Sequence, residues 1–342
     1  MELFLSQRIK RDAQVNYRLS LLDQSPINDG QTAAQALDAT LTFALAAEKL
    51  GYHRLWVSEH HDTEKLAGSS PEVLIAWLLA RTSRLRIGSG GVMLQHYSPY
   101  KVAENFHLLS SLAPDRVDIG IGKAPGGLPL STKALRAHAP AESSPGFPAQ
   151  LQQLTHYLTH LDDHLAGTEA RALPRPPVAP QRFLLGASKE SARLAASLGW
   201  NFVFAGFINA SAQVMTESVL AFHEYSAGQG QALVSLAALA AQTREQAAER
   251  VTGQHNFRVT LGDRHVTVGS REQAEAFVRQ SGATQYQIEQ QQISVLHGTP
   301  GDIHEQLRDI QRRLCVNEFV IHTPLTEAGV RLKSIELLAG QL

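Results

Sequence analysis

One cysteine in 342 residues leaves no partner for an internal disulfide, and that scarcity fits a reducing, cytoplasmic setting. Cys315 lies in a helical pattern, Ile310 to Val316, and reads as a small buried hydrophobe. Charge of one sign is lacking too: 31 basic against 32 acidic residues give a net −1, which excludes a nucleic-acid field or a polybasic membrane patch. No uninterrupted apolar run is long enough to span a bilayer. Residues 1–16 alternate apolar and charged positions, with no apolar h-region or small-residue cleavage site, and read as an N-terminal extension rather than a signal peptide. Also missing is a Gly-rich phosphate fingerprint after the first strand; Asp23-Gln24-Ser25-Pro26 stands there instead, which argues against a doubly wound dinucleotide fold. No H-x-H or H-E-x-x-H pattern and no short-period repeat is present.

What is present is enough apolar material for a large core, 43% of residues, in a repeating βα rhythm. Strands are expected at 17–22, 54–58, 85–94, 117–122, 182–187, 201–205, within 232–241, and at 318–323. Helices are expected at 32–50, 70–81, 98–112, 149–165, 189–198, 211–226, from Thr299-Pro300 onward, and at 328–338. Ser70-Pro71-Glu72 and Ser98-Pro99 are cap-plus-proline starts, and Gly51 is a stop. Two stretches break the rhythm, a Pro/Gly/Ser-rich loop at 124–148 and an irregular segment at 253–295. Eight strands predict a TIM (β/α)₈ barrel over 17–342, with insertions after strands four and seven.

In such a barrel chemistry belongs at the carboxyl ends of the strands. Strand two ends in Ser58-Glu59-His60-His61. Adjacent side chains on an extended segment diverge, so the two histidines make a poor metal site, and a Glu-His-His run at a strand's functional end points to chemistry more than to rim capping. Strand three ends in Gly88-Ser89-Gly90-Gly91, fitting either a ligand's close approach or a barrel bulge about equally. On strand four, period two empties one face at Gly120 and Gly122 and leaves Lys123 at the rim to meet an anion. Gly186-Ala187-Ser188 opens a helix whose N-terminus suits a phosphate, although plain capping by Ser188 is the commoner use of such a serine. Strands four and five being neighbours, Lys123 and Ser188 should converge.

The sequence resembles the luciferase-like, flavin-dependent monooxygenase family, and looks closest to its single-chain bacterial oxidoreductases. The resemblance rests on Leu19–Ile27 (LSLLDQSPI), Leu50–His61 (LGYHRLWVSEHH), Gly68–Ile75 (GSSPEVLI), Arg86–Leu94 (RIGSGGVML), Tyr97–Asn105 (YSPYKVAEN) and Asp118–Gly127 (DIGIGKAPGG). Weaker echoes are Gly186–Ala196, His297–Pro300 and Arg331–Ala339. It implies a TIM barrel that takes FMN, reduced by a separate NAD(P)H:flavin reductase, and uses O2 to oxygenate a small organic substrate. By position His60 matches the family's catalytic histidine, and Gly90-Gly91 a peptide, often cis, that packs on the ring. Lys123 falls where many members carry an arginine that reaches the phosphate, and Ser188 and Ser191 match phosphate-binding hydroxyls. Glu59, Gly90, Gly91, Lys123, Ala187, Ser188 and Ser191 are thus the expected cofactor set, with no metal. Lysine for arginine loses the bidentate fork, and Gly122 stands where the luciferase α-chain has a reactive cysteine. An F420-dependent dehydrogenase on the same scaffold and a non-catalytic flavin-binding protein are the alternatives, a metal-dependent hydrolase a remote one. Family resemblance also implies a homodimer packed through barrel helices.

Overall fold

Short β-rich runs cannot bury both faces alone, and a helix after each strand supplies the cover. In the computed structural model this closes into a ring. The structure describes residues 17–137, 145–159, 170–262 and 264–340; the expected extension at 1–16, the part of the expected fourth helix beyond Thr159, and residues 138–144 of the expected loop lie outside them. The barrel strands are β1 (Arg18–Asp23), β2 (Arg54–Val57), β3 (Arg86–Ser89), β4 (Val117–Gly122), β5 (Gln181–Gly186), β6 (Asn201–Ala205), β7 (Ala232–Ala240) and, after further elements, β12 (Glu318–His322). Every neighbouring pair is parallel, and β12 pairs with both β7 and β1, which closes the ring. The register sets Leu22 beside Trp56 on one side and His322 on the other.

Around the ring lie α1 (Ala33–Leu50), α2 (Pro71–Leu79), α3 (Pro99–Leu112), α4 (Pro129–Leu135), α5 (Phe147–Thr159), α6 (Lys189–Ser197) and α7 (Ala212–Ser226). Later come α8 (Arg244–Val251), α9 (Arg271–Ser281), α10 (Pro300–Leu314) and α11 (Ala328–Ala339). α1 starts on a capping box between Thr32 and Gln35, buries Ala36, Thr40, Phe43, Ala44 and Ala47 along one stripe, and ends at Gly51 in the left-handed region. The proline starts of α2 and α3 fall where expected, but neither Ser70 nor Ser98 makes a side-chain cap bond; proline's fixed φ sets the start there.

Four expectations are corrected. The stretch 124–148 is not loop throughout, since α4 occupies Pro129–Leu135 and α5 begins at Phe147. The segment 253–295 is not irregular: β8 (His255–Leu261), β9 (Arg264–Val268) and β10 (Gln287–Gln292) form an antiparallel sheet in the order β9-β8-β10, backed by α9. It has its own apolar centre of Val259, Ala274 and Val278, and a short β11 (Leu296–Gly298) then returns the chain to β7. The third strand is not continuous through Leu94: β3 ends at Ser89, a cis Gly90–Gly91 bond follows, and Val92–Met93 pairs with β4. Cys315 is exposed, not buried, because it ends α10 in the left-handed conformation and its side chain turns outward.

The barrel interior divides by height. At the N-terminal floor Arg54, Asp118, Glu318 and Arg86 are all buried and joined: Arg54 Nε donates to Glu318 Oε1 at 2.6 Å, Arg54 Nη1 to Asp118 Oδ2 at 2.7 Å, and Arg86 Nη2 to Asp118 Oδ1 at 2.8 Å. Above them sits an apolar layer of Leu22, Trp56, Phe183, Val203, Leu233 and Val320. Gly120 is a packing glycine, since a Cβ there would lie 2.1 Å from the Ser89 carbonyl oxygen of the next strand. With floor and middle filled, the C-terminal mouth is left for function.

Candidate active site at the C-terminal mouth

The chain leaving β2 crosses the mouth as a pinned segment: the His60 N–H donates to the Gly68 carbonyl and the His61 N–H to the Gly126 carbonyl, both at 2.8 Å. The two histidines then serve different partners. His61 Nε2 lies 2.7 Å from Glu59 Oε1, while His60 Nδ1 lies 3.2 Å from the Ser58 hydroxyl. Burial pushes the His60 ring down to about 4, against the opposing pull of Glu59, so the imidazole is neutral at pH 7. Glu59 is fully buried and both oxygens are engaged: Oε2 accepts from the Met93 N–H at 3.0 Å, and Oε1 accepts from the Tyr97 hydroxyl at 2.7 Å besides facing His61. That arrangement gives Glu59 the work of fixing the wall through Met93, Tyr97 and His61.

The end of β12 brings a histidine the sequence reading did not single out. His322 sits beside Leu22 in the ladder, one residue from Asp23, and within electrostatic reach of His60. Burial, the Arg331 guanidinium and His60 push its ring down to about 4, while Asp23 and the Leu22 carbonyl oppose them. Its Nδ1 is buried without a well-formed hydrogen bond, as is Oδ2 of Asp23, whose Oδ1 is held by Arg331 of α11 and the Ser25 N–H. The Phe207 ring stands 5.7 Å from the His322 ring. The signal for His322 was its place at a barrel strand's carboxyl end, the same signal that marked His60.

Gly90 and Gly91 are buried at the end of β3, where the chain packs closely; a Cβ on Gly90 would come within 2.8 Å of Leu22 Cδ1, and one on Gly91 within 2.8 Å of the Gly120 oxygen. At the β5 end, Ser188 caps α6 by accepting from the Ser191 N–H at 3.3 Å, and the two hydroxyls lie 3.4 Å apart. A side chain at Gly186 would strike Ser191 Cβ at 2.4 Å, so the glycine lets the serine pair fold against the strand end. Ala187 lies half-buried between them and β5. Lys123 is exposed at the end of β4, the strand next to β5, and has no ion pair among the described residues. Among the described residues no group of three or more His, Cys, Asp or Glu could hold a metal ion, and no helix is long and apolar enough to cross a membrane. A recess of about 600 Å³ opens at the opposite end, by Tyr17, Arg18, Cys315 and Glu318, on the face where this fold carries stability rather than chemistry.

A family model described as luciferase-like monooxygenase matches residues 18–317. The chain belongs to that family. It is 46% identical over 330 residues to the N-acetyl-S-alkylcysteine monooxygenase of Bacillus subtilis (strain 168), covering 94% of this chain and 97% of that protein. Among solved structures, apo-MsnO8 superposes with a TM-score of 0.75 at 31% identity, over 96% of this chain and 98% of that one. The oxygenating constituent of 3,6-diketocamphane monooxygenase from Pseudomonas putida, in complex with FMN, has a TM-score of 0.70 at 16% identity, over 95% and 98%, and shares the fold. This chain is therefore an enzyme of the luciferase-like monooxygenase family, with its mouth built from the ends of β1, β2, β3 and β12.

Proposed function

We propose that the protein is a monooxygenase that uses FMN, delivered in reduced form by a separate reductase, and inserts one atom of O2 into the alkylthio part of an N-acylated S-alkylcysteine. The observation that carries the reading is the neutral His60 at the mouth, one strand away from the Gly90-Gly91 bond, on a rim that also carries a helix N-terminus whose Ser188 and Ser191 hydroxyls lie 3.4 Å apart. The residues fit FMN. Ser188, Ser191 and the α6 N-terminus, with Lys123, suit a phosphate; Leu22, Gly90 and Phe207 offer a shaved apolar wall to a flat ring; and the unpartnered Nδ1 of His322 and Oδ2 of Asp23 mark a polar edge at that wall. The substrate class follows the Bacillus subtilis relative.

FMN, when bound, supplies the reducing electrons and the site of oxygen activation. The chain's own part is positioning and exclusion of water. His60, neutral and held by Ser58, can accept or return a proton at its free ring nitrogen, and Glu59 keeps the segment in place through Met93, Tyr97 and His61. The test is turnover of N-acetyl-S-methylcysteine with FMN, NADH, a flavin reductase and ¹⁸O2. One labelled oxygen in the product, together with a His60→Ala variant that still binds FMN but turns over at least about 100-fold more slowly, is the expected result. Substrate-independent oxygen uptake alone, or turnover with F420 and without O2, would overturn the reading.

A further inference from the structure

Arginines on the inside of this protein are paired. Arg54 and Arg86 share Asp118, Arg331 holds Asp23, and Arg116 spends its nitrogens on Leu85 O, Thr82 O and the Thr82 hydroxyl. Arg136 breaks the rule. Its Nε is sealed from solvent with no acceptor, the one buried guanidinium nitrogen among the described residues so left. Its terminal nitrogens reach solvent and bond no described residue.

The position of Arg136 gives that gap a meaning. It ends α4, which the insertion after β4 lays over the mouth. At one end of that insertion Gly126 and Gly127 press against Glu59 and His61; within it the Leu130 N–H donates to Gln280 of α9 at 3.0 Å. The charge of Arg136 reaches His96, whose Nε2 bonds the Pro125 carbonyl at 2.7 Å and whose ring meets His61 edge-on at 6.1 Å. Arg136 thus stands within electrostatic reach of His96, which follows β3, whereas the Ser188–Ser191 corner follows β5, beyond β4. A planar guanidinium with its stem fixed and its tips open has already lost most of its freedom, so an oxyanion that docks on it gains a forked pair of charged hydrogen bonds at small entropic cost.

We propose that Arg136 is a specificity-determining residue: an oxyanion subsite at the rim of the mouth that takes the substrate's carboxylate, so that the acid end of an N-acylated S-alkyl amino acid lies under α4. This rests on the functional reading above. Removal of one charge-assisted pair of this kind costs roughly 10- to 100-fold in affinity.

The experiment uses the full chain with FMN, the reductase and NADH, and compares N-acetyl-S-methylcysteine with its methyl ester in wild type, Arg136→Gln, Arg136→Lys and Lys133→Gln. The subsite predicts that wild type prefers the acid, that R136Q loses about 10- to 100-fold in kcat/KM on the acid, chiefly through KM, and that R136Q changes little on the ester. R136K recovers part of the loss, and K133Q, one turn away on the exposed side, leaves kcat/KM on the acid unchanged. Equal losses on acid and ester overturn the proposal. FMN and riboflavin affinities, followed by flavin fluorescence, separate the two sources of oxyanion: if R136Q weakens FMN but not riboflavin, the flavin phosphate is the occupant and the proposal falls. If wild type turns over neither compound, the functional reading fails on its own. Calorimetric binding of N-acetyl-S-methylcysteine then decides the subsite, which stands if R136Q abolishes binding and falls if wild type shows none.

Discussion

His60 and His322 approach the same space from the two flanks of β1, and both rings are held near 4 by burial. In an unfolded chain each titrates near 6.5, so between about pH 6.5 and 4 the unfolded state binds more protons and stability falls as the pH drops through that window. His53, also pushed down to about 4 by burial, adds to the slope. Chemical denaturation at pH 7.0 and 4.5 should reveal the loss, on the order of a few kcal/mol, and His322→Gln should flatten it. An unchanged slope would mean that the His322 ring is hydrated. Glu59→Gln tests the wall: with Tyr97, Met93 and His61 losing their charged acceptor, stability should drop by about 1–3 kcal/mol, and turnover should fall more than flavin affinity does.

At the level of elements, much was legible and the limits had physical causes. Apart from the third, which stops at Ser89, the barrel strands lay close to the expected spans because parallel strands, covered on both faces, are written as dense apolar runs such as Asn201–Ala205. His60 was found because Glu-His-His at a strand end is compositionally odd there; His322 was passed over because a lone histidine after Phe319-Val320-Ile321 looks like any strand's last residue. The sheet at 255–292 hid behind its polarity, although Phe257, Val259 and Leu261, then Gly262 and Val266, Val268, spell a hairpin at period two. Helix caps were only half readable, since sequence cannot say whether a serine hydroxyl such as that of Ser70 turns to the helix or to Glu72. The glycines of β3 were ambiguous between ligand and packing; on β4, Gly120 was expected to open an emptied face, and the 2.1 Å contact shows it to be a packing glycine instead. Gly120→Ala should therefore lower the melting temperature sharply, whereas Gly122→Ala, where a Cβ meets only the flexible Met93 side chain at 3.3 Å, should fold and be felt at the mouth. Comparing soluble yield with flavin binding for the two variants separates the roles.

Across the whole molecule, the ionic floor and the histidine mouth divide labour along the barrel axis. Asp118 is shared by Arg54, Arg86 and the Trp56 indole N–H, so Asp118→Asn leaves two buried guanidinium groups short of a counter-charge. The expected cost is about 3–5 kcal/mol, measured by urea unfolding, with flavin affinity of the remaining folded protein unchanged. A floor charge that did influence flavin binding would show that the apolar layer of Trp56 and Phe183 fails to insulate the mouth.

The sheet of β8, β9 and β10 with α9 carries a centre of its own, apart from the core of the barrel, and meets α4 through Leu130 and Gln280. Such a segment is a unit of heredity as much as of structure. Substitutions, insertions or wholesale exchange within 255–292 can be tried by evolution without disturbing the separate apolar core of the barrel. The rim above the mouth can thus change what it admits while the strands beneath stay put.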